Sequence, residues 1–416
     1  MTTIDGRISR AAWSLLAFLT LLNILNFVDR LLIASLAPLL IADLGLSRAQ
    51  IGLLAGFGFV FFYSLVGLFL GFAADRWRRI PLVALGLTIW SGMTALSGFA
   101  RSFVQLALPR VFVGIGEATL TPAALSMLGD LFPRRRLAMA TGVYYAGIPL
   151  GTAVSLMASS YLAPRYGWRT CFFILGGVGL VAVLLLLLFR EPQRREAAAS
   201  TQHAPFGKLA ADLVRSLRTR RELALTLAGG SLLTYGAAAA LHTVTWLVEE
   251  RGLPYAEAAF TAGFIGVFAG FLGNLAGGAF GDWCARRRPN GHLWSLIPIS
   301  LCFAVSGLLF YLLPARSPLF YLFWFLTAAC TSGWFGPLFA TIQEQAPASA
   351  RASTVALALL VLNLLGVGPG PLVTGVIGDA RGLTAGLLSS LVLVAAAVVP
   401  FALASRAKHP VQRDGA

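Results

Sequence analysis

Four ionisable residues lie inside segments that otherwise carry almost no charge. Asp29 and Arg30 interrupt the apolar run 13–41, in the stretch NFVDRLLIA at 26–34, and Arg110 and Glu117 fall within the run 104–131. An ionised side chain at the centre of a membrane helix costs about 2.5–3.5 kcal/mol on insertion scales, so these residues call for a functional or structural reason. Their charges sum to zero when all are ionised. Protonating one carboxylate makes the set net positive, able to hold an anionic group such as a phosphate against Arg110, because a guanidinium presents a planar fork of donors to oxyanions. A bound anion would in turn favour protonation of Asp29 or Glu117. That reciprocity is the chemistry of proton coupling. The alternative is a self-neutralising ion cluster that only packs.

Spacing says how the four could meet. Arg110 and Glu117 are seven residues apart, about two turns, and share one helix face. At 1.5 Å per residue, Asp29 lies roughly 18 Å from the helix end near Ile41, Glu117 roughly 20 Å from the start near Val104, and Arg110 roughly 9 Å from it. The carboxylates are therefore at similar depth, and Arg110 is expected to reach toward both. Arg30 points about 100° away from Asp29 and is expected to serve another helix or a substrate headgroup.

The elements that must position these residues follow from composition. Of 416 residues, 57% are hydrophobic and only 12% charged, against about 25% charged in a soluble domain. The natural solvent for most of this chain is a bilayer, and its apolar runs match the roughly 20 residues a helix needs to span one. The first run is too long for a cleaved signal peptide and is expected to stay as a helix. Twelve helical runs are predicted, at 13–41, 51–73, 80–100, 104–131, 137–161, 168–189, 223–248, 256–281, 293–314, 318–343, 350–377 and 382–405. The expected organisation is a six-helix bundle over 1–189, a linker over 190–222, a second six-helix bundle over 223–405 and a tail over 406–416. Within the linker, Phe206, Leu209, Leu213 and Leu217 recur at helical spacing among basic residues, the pattern of a helix lying on the membrane surface.

The net charge of +15 raises the question of nucleic acid. Its placement answers it. With both termini in the cytoplasm, 23 of the 32 Lys and Arg fall in cytoplasmic segments and seven in the opposite loops, a bias that sets membrane topology. Cys171, Cys284, Cys302 and Cys330 show no CxxC spacing, and the four histidines form no HExxH. Neither GxSxG nor GxxxxGK[ST] occurs, so no catalytic constellation, metal or cofactor is expected, and an ion gradient is the expected energy source.

GFAADRWRR at 71–79 and GAFGDWCARR at 278–287 align Gly71 with Gly278, Asp75 with Asp282 and Arg79 with Arg286, each between the second and third helix of a half. The chain thus reads as a duplication, as many secondary transporters are. GFAADRWRR resembles the loop signature of the major facilitator superfamily, departing from it at Arg78 and Ile80. NFVDR at 26–30, RVFVGIGEATLTPAALSMLGDLFP at 110–133 and GIPLG at 147–151 are together similar to the spinster branch, whose members are associated with sphingolipids and lysophospholipids. The resemblance implies an all-α major facilitator fold, twelve transmembrane helices in two six-helix bundles related by a pseudo-twofold axis. It implies that the first and fourth helices line a central cavity, and that Gly71, Asp75, Arg76 and Arg79 form an inner latch, with Asp75 at the start of the eleventh helix. Asp130 could pair with Arg79; Asp282 and Arg286 are the second-half copies. The basic residues of this loop could equally be topology anchors only.

Further candidates are more open. GIPLG puts a proline inside the fifth helix and GVGPGP at 366–371 does so in the second half; each could be a hinge or a packing site. The second half offers His242, Trp246, Trp334 and Asn363 as polar or amphipathic helix residues, and Tyr145 and Phe59 could join them around an amphiphile. Asp29 and Glu117 are assigned to proton coupling, and Arg110, Arg30 and these six residues to substrate. The expected function is proton-coupled, alternating-access transport of an amphipathic lipid such as a lysophospholipid, in the export direction. Transport of a drug or small organic anion, or a non-transporting lipid scaffold, are the alternatives. The expected setting is the inner membrane of a bacterial-type cell, as a monomer, with lipid, protons and membrane as partners and no nucleic acid.

Overall fold

The computed structural model describes residues 9–193, 220–346 and 351–406, and the regular structure among them is helical. Twelve helices among the described residues are long and apolar enough to cross a membrane. In chain order they are α1 (Arg10–Leu44), α2 (48–76), α3 (Arg79–Ser97), α4 (Phe103–Leu131), α5 (134–166), α6 (Trp168–Leu186), α7 (Arg221–Glu249), α8 (Tyr255–Arg287), α9 (Gly291–Leu312), α10 (Pro318–Gln345), α11 (351–381) and α12 (Leu383–Arg406). The surface helix expected around 206–217 lies outside the described residues, as do the side chains of Gly71, Asp75 and Arg76.

Local sequence sets where the helices start and stop. Ser9, Ser47, Ser102 and Ser317 each accept a first-turn backbone N–H with the side chain, and Ser47 forms a full capping box with Gln50. These bonds satisfy donors that have no partner within the helix. Gly45, at φ 62°, closes α1 in the left-handed conformation that glycine adopts without steric cost.

Several runs that read as continuous in hydropathy are broken in the structure. The segment Leu53–Phe57 of α2 and the segment Asn363–Val367 of α11 are π-helical turns. α4 stops at Glu117 and restarts at Leu120, and α5 stops at Tyr145 and restarts at Gly147. Hydropathy reports apolar content, not the continuity of i→i−4 bonds, so such breaks leave no trace in it. Two of them fall beside the prolines of GIPLG and GVGPGP, each read as either a hinge or a packing site. Pro149 sits in the first turn of Gly147–Tyr166, and Pro369 opens Pro369–Arg381, positions where a missing N–H costs nothing.

The chain packs as two compact units. One comprises Met1–His203, Ala238–Phe268 and Val367–Leu387; the other comprises Ala204–Ala237, Ala269–Gly366 and Leu388–Ala416. In the first, α1 meets α5 at Gly147 and Gly151, where an added Cβ would come within 3.0 Å of Asn23 and 2.4 Å of the Ile24 carbonyl. In the second, α8 meets α10 through Gly273 and Gly277, directly against the backbone of Ala329 and Gly333. Lipid offers helices little hydrophobic reason to associate, so small residues that allow close backbone approach take over that role. Leu184, Leu188, Phe271, Leu275 and Val392 are exposed, large apolar side chains that a surrounding of acyl chains would accommodate.

Candidate functional site

In the first unit, α1 and α4 bring the four buried charges together as two crossed ion pairs. Arg110 Nη1 donates to Asp29 Oδ1 at 2.9 Å and lies 3.4 Å from the Asp29 carbonyl oxygen. Arg30 Nε donates to Glu117 Oε2 at 2.8 Å. The expectation that Arg110 would reach both acids is therefore corrected: it takes Asp29, and its neighbour in sequence, Arg30, takes Glu117. Adjacent helix residues diverge by about 100°, so Asp29 and Arg30 engage different turns of α4, and each acid finds an arginine from the other helix.

Three aromatic rings complete the setting, one of them Phe27, 4.8 Å from the Arg30 guanidinium. The Arg30 guanidinium lies 4.1 Å from the Tyr63 ring and 5.2 Å from the Phe59 ring, and the Arg110 guanidinium lies 5.2 Å from Phe59. Phe59 is thus shared by both cations, whose positive charge is drawn to the negative face of the ring. The hydroxyl of Thr94, from α3, donates to Asp29 Oδ2. Thr94 and Tyr63 were not foreseen, because a single hydroxyl in an apolar helix carries no spacing signal.

The pairs differ in access. The side chains of Asp29 and Arg110 are 1% and 3% exposed, whereas that of Arg30 is 21% exposed beside a Glu117 at 0%. Arg30 is the member that meets the surroundings. Spare capacity remains: Arg110 Nε and Nη2 and Glu117 Oε1 have no hydrogen-bond partner among the described residues. Unused donors beside an unused acceptor, all shielded from water, are costly unless something else satisfies them.

A second charged network lies where α3 begins. Arg79 is fully buried. It donates to Asp130, as the sequence suggested, and to Ser126 Oγ at 3.1 Å, Glu191 Oε1 at 2.9 Å and the Pro192 carbonyl at 2.7 Å. Glu191 also accepts the backbone N–H of Arg79 and of Ile80, at 3.0 and 2.9 Å, and so caps α3 from beyond α6. Burial raises the Glu191 carboxyl, but these hydrogen bonds outweigh it and hold it below the usual carboxylate range. Sequence reading placed Glu191 in the linker and gave it no role.

A third network joins the start of α2 to the end of α11. Asp379 accepts the backbone N–H of Arg48 at 2.8 Å and of Ala49 at 2.9 Å. The Arg48 guanidinium bridges to Glu249 at 2.8 Å and to the Gly378 carbonyl at 3.1 Å. Nearby, Glu250 accepts the backbone N–H of Leu383 and Thr384 and the Thr384 hydroxyl. Arg48 had been counted only as a loop charge. The capping-box pattern Ser47–Gln50 was the available signal.

The other predicted contacts are dispersed. His242 is fully buried, with Nε2 2.8 Å from the Pro371 carbonyl, and Trp246 donates to Thr384 at 2.8 Å; both help pack α7 in the first unit. Tyr145 is 39% exposed and packs edge-on to Tyr144. In the second unit, Trp334 is buried and stacks on Phe335, Asn363 is half-buried in its π turn, Asp282 meets His292, and Arg286 is exposed. No group of three or more metal-ligating side chains occurs among the described residues.

Twelve helices fit to span a membrane and a family match define a multi-pass membrane transporter rather than an enzyme. The chain belongs to the Major Facilitator Superfamily, whose family model matches residues 19–371, and within that family it is spinster-like. It is 33% identical over 371 residues to an MFS-type efflux pump of Mycolicibacterium smegmatis, covering 89% of this chain and 85% of that one. It is 26% identical over 396 residues to a sphingosine-1-phosphate transporter of Xenopus tropicalis, covering 89% and 74%. Its fold matches the inward-facing, unoccupied crystal structure of a bacterial homolog to the human lysosomal transporter spinster, with TM-score 0.85, 25% identity and coverage of 96% and 98%.

Proposed function

We propose that this transporter couples proton movement to that of an amphipathic lipid with an anionic headgroup, such as a lysophospholipid, and exports it by alternating access. The observation that carries the reading is the crossed pair Asp29–Arg110 and Arg30–Glu117, with its unsatisfied Arg110 donors and Glu117 acceptor. As drawn, the cluster is neutral and self-satisfied at Arg30. A proton on Glu117 weakens its hold on Arg30, the most accessible of the four. The freed guanidinium then binds an oxyanion, with Tyr63 and Phe59 offering apolar ring surface beside the head. Release of the anion returns Arg30 to Glu117, and the proton leaves. Each ligand thus changes the affinity for the other, the requirement for coupling.

Alternating access draws support from the network at Arg48. There, groups of the first half (Arg48, Ala49) and of the second (Glu249, Asp379) close on one another, as a latch on one side of the membrane would. In this reading the bundles are 1–189 and 223–405, both termini and the segments after α2, α6 and α8 are cytoplasmic, and the Arg48 latch faces outward. The membrane is the inner membrane and the transporter acts as a monomer.

The lipid reading leans on the likeness to a sphingosine-1-phosphate transporter. The greater identity to an efflux pump favours a second reading, in which the same machinery moves a drug or small organic anion. Reconstitution into proteoliposomes tests both. Under an imposed pH gradient, labelled lysophospholipid should cross, and the internal pH should change with it. In Glu117→Gln transport should lose its dependence on the gradient. Lysophospholipid transport indifferent to pH in wild type and variant alike would refute coupling, and transport of drugs but not of lysolipid would select the second reading.

A further inference from the structure

In the second unit, His292 is held between two carboxylates. Its Nδ1 lies 2.6 Å from Glu344 Oε1 and its Nε2 lies 3.2 Å from Asp282 Oδ1. A neutral imidazole has one N–H to donate, and an ionised carboxylate only accepts. Two such contacts need one proton more than a neutral ring between two carboxylates can supply. We propose that the Asp282–His292–Glu344 triad is a proton-binding site, separate from the charges of α1 and α4.

Its position within the second half matches that of Arg79 in the first. Arg79 opens α3, the third helix of its half, and His292 is the second residue of α9, the third helix of the other. Asp130 and Glu344 both end the fourth helix of their halves, each three residues before a proline, Pro133 and Pro347 in the sequence. In the first half a permanent guanidinium ties the start of the third helix to the end of the fourth. In the second half a titratable ring makes the same tie and adds Asp282 of α8. Arg286, the residue that aligns with Arg79, is exposed one turn beyond Asp282.

The charged and titratable side chains facing the ring among the described residues are Asp282 from α8 and Glu344 from α10. Gly281 approaches its carbon edge, at 3.4 Å from an added Cβ. With the proton bound, α8, α9 and α10 are clamped. Without it the ring can donate to one acid only, the other is left facing a nitrogen lone pair, and the clamp opens. One half of the transporter would then respond to the acidity of the phase at this end, while the Arg79 tie would not.

The test uses full-length protein with 15N-labelled histidine, its four histidines distinguished by comparison with His292→Gln. Both His292 nitrogens should report N–H at the acid end of about pH 5 to pH 8, the range in which imidazole ordinarily changes charge. One proton should leave as pH rises, and Glu344→Gln should move that step to lower pH. A ring that is singly protonated throughout, or a step that Glu344→Gln leaves in place, would overturn the proposal. A second readout is maleimide labelling of Cys284, which is half-buried two residues after Asp282, with the other three cysteines changed to serine. Its rate should rise with pH in both proteins, as the thiolate fraction does, but severalfold more steeply in this background than in His292→Arg. Equal pH dependence in both would also overturn it. The Glu117→Gln variant should retain this dependence, which separates the site from the coupling site proposed above.

Discussion

Asp379 and Arg48, 331 residues apart, meet through a carboxylate set on a helix start: the two Asp379 oxygens take the first two backbone N–H groups of α2, at 2.8 and 2.9 Å. Those donors have no acceptor within their own helix, and the positive end of the helix dipole adds to the attraction. The Arg48 side chain turns back to Glu249 and the Gly378 carbonyl. One residue therefore binds α11 through its backbone, and both α7 and α11 through its side chain.

Replacing Asp379 with alanine should open this junction. Loss of a capping oxygen costs about 0.5–2 kcal/mol, and each 1.4 kcal/mol is a tenfold change in an equilibrium. A cysteine at Leu372, which packs against Gly52, should then react with maleimide roughly 2- to 30-fold faster than in the Asp379 background. An unchanged rate would mean that the carboxylate caps α2 without holding the two helices together.

Gly52 tests the same closure sterically. An added Cβ there would lie 2.3 Å from the Pro371 carbonyl oxygen, a backbone atom that cannot yield. Gly52→Val should keep this end apart, raise labelling of the Leu372→Cys reporter and reduce transport more than about tenfold, the effect of holding a two-state cycle in one state. Gly129→Ala is the control, since nothing lies within 4 Å of a Cβ at that position. Transport by Gly52→Val at the control rate would show that these helices need not touch during turnover.

How much of this was legible in the sequence depends on the scale of the feature. The twelve spans were, because an apolar run needs only composition to declare itself. Asp29, Arg30, Arg110 and Glu117 were too, because a charge in such a run is conspicuous. Which arginine meets which acid was not, since that turns on the rotation of α1 about its axis, which hydropathy does not fix. Thr94, Tyr63 and Glu191 escaped for a different reason: each acts through one hydrogen bond or one ring face, and residues like them recur throughout the chain in structural roles. The helix breaks at Ala118 and Ala146 lie near glycines and three or four residues before Pro122 and Pro149, residues of low helix propensity that hydropathy does not register.

Glu191 gives a prediction with a pH sign. Its carboxyl is held below the usual range by the donors of Arg79 and Ile80. A depressed value means that the ionised form stabilises the fold at and above the ordinary glutamate value of about 4.3, and that this contribution fades as pH falls through the lowered value. In detergent, Glu191→Gln should melt below wild type at neutral pH, and the two melting curves should converge below about pH 4.3. A gap that persists unchanged into acid would place the effect in packing instead of charge.

The two ion pairs on α1 and α4 should differ in what their loss costs. Removing one member of a buried pair leaves an uncompensated charge and typically costs 3–5 kcal/mol, whereas removing both charges together can be nearly neutral. Asp29 and Arg110 are both sealed from the surroundings, so Arg110→Gln alone should sharply lower the melting temperature. Adding Asp29→Asn should restore most of it, since asparagine still offers Thr94 an acceptor. The matching cycle at Arg30 and Glu117 should show a weaker rescue, because Arg30 is 21% exposed and its partner can recruit water when it is gone. Melting temperatures of the four single and two double variants measure both couplings. Strictly additive losses at Asp29 and Arg110 would show that the pair is not an energetic unit, and a larger coupling at Arg30 and Glu117 would place the sealed pair at the other end of the cluster.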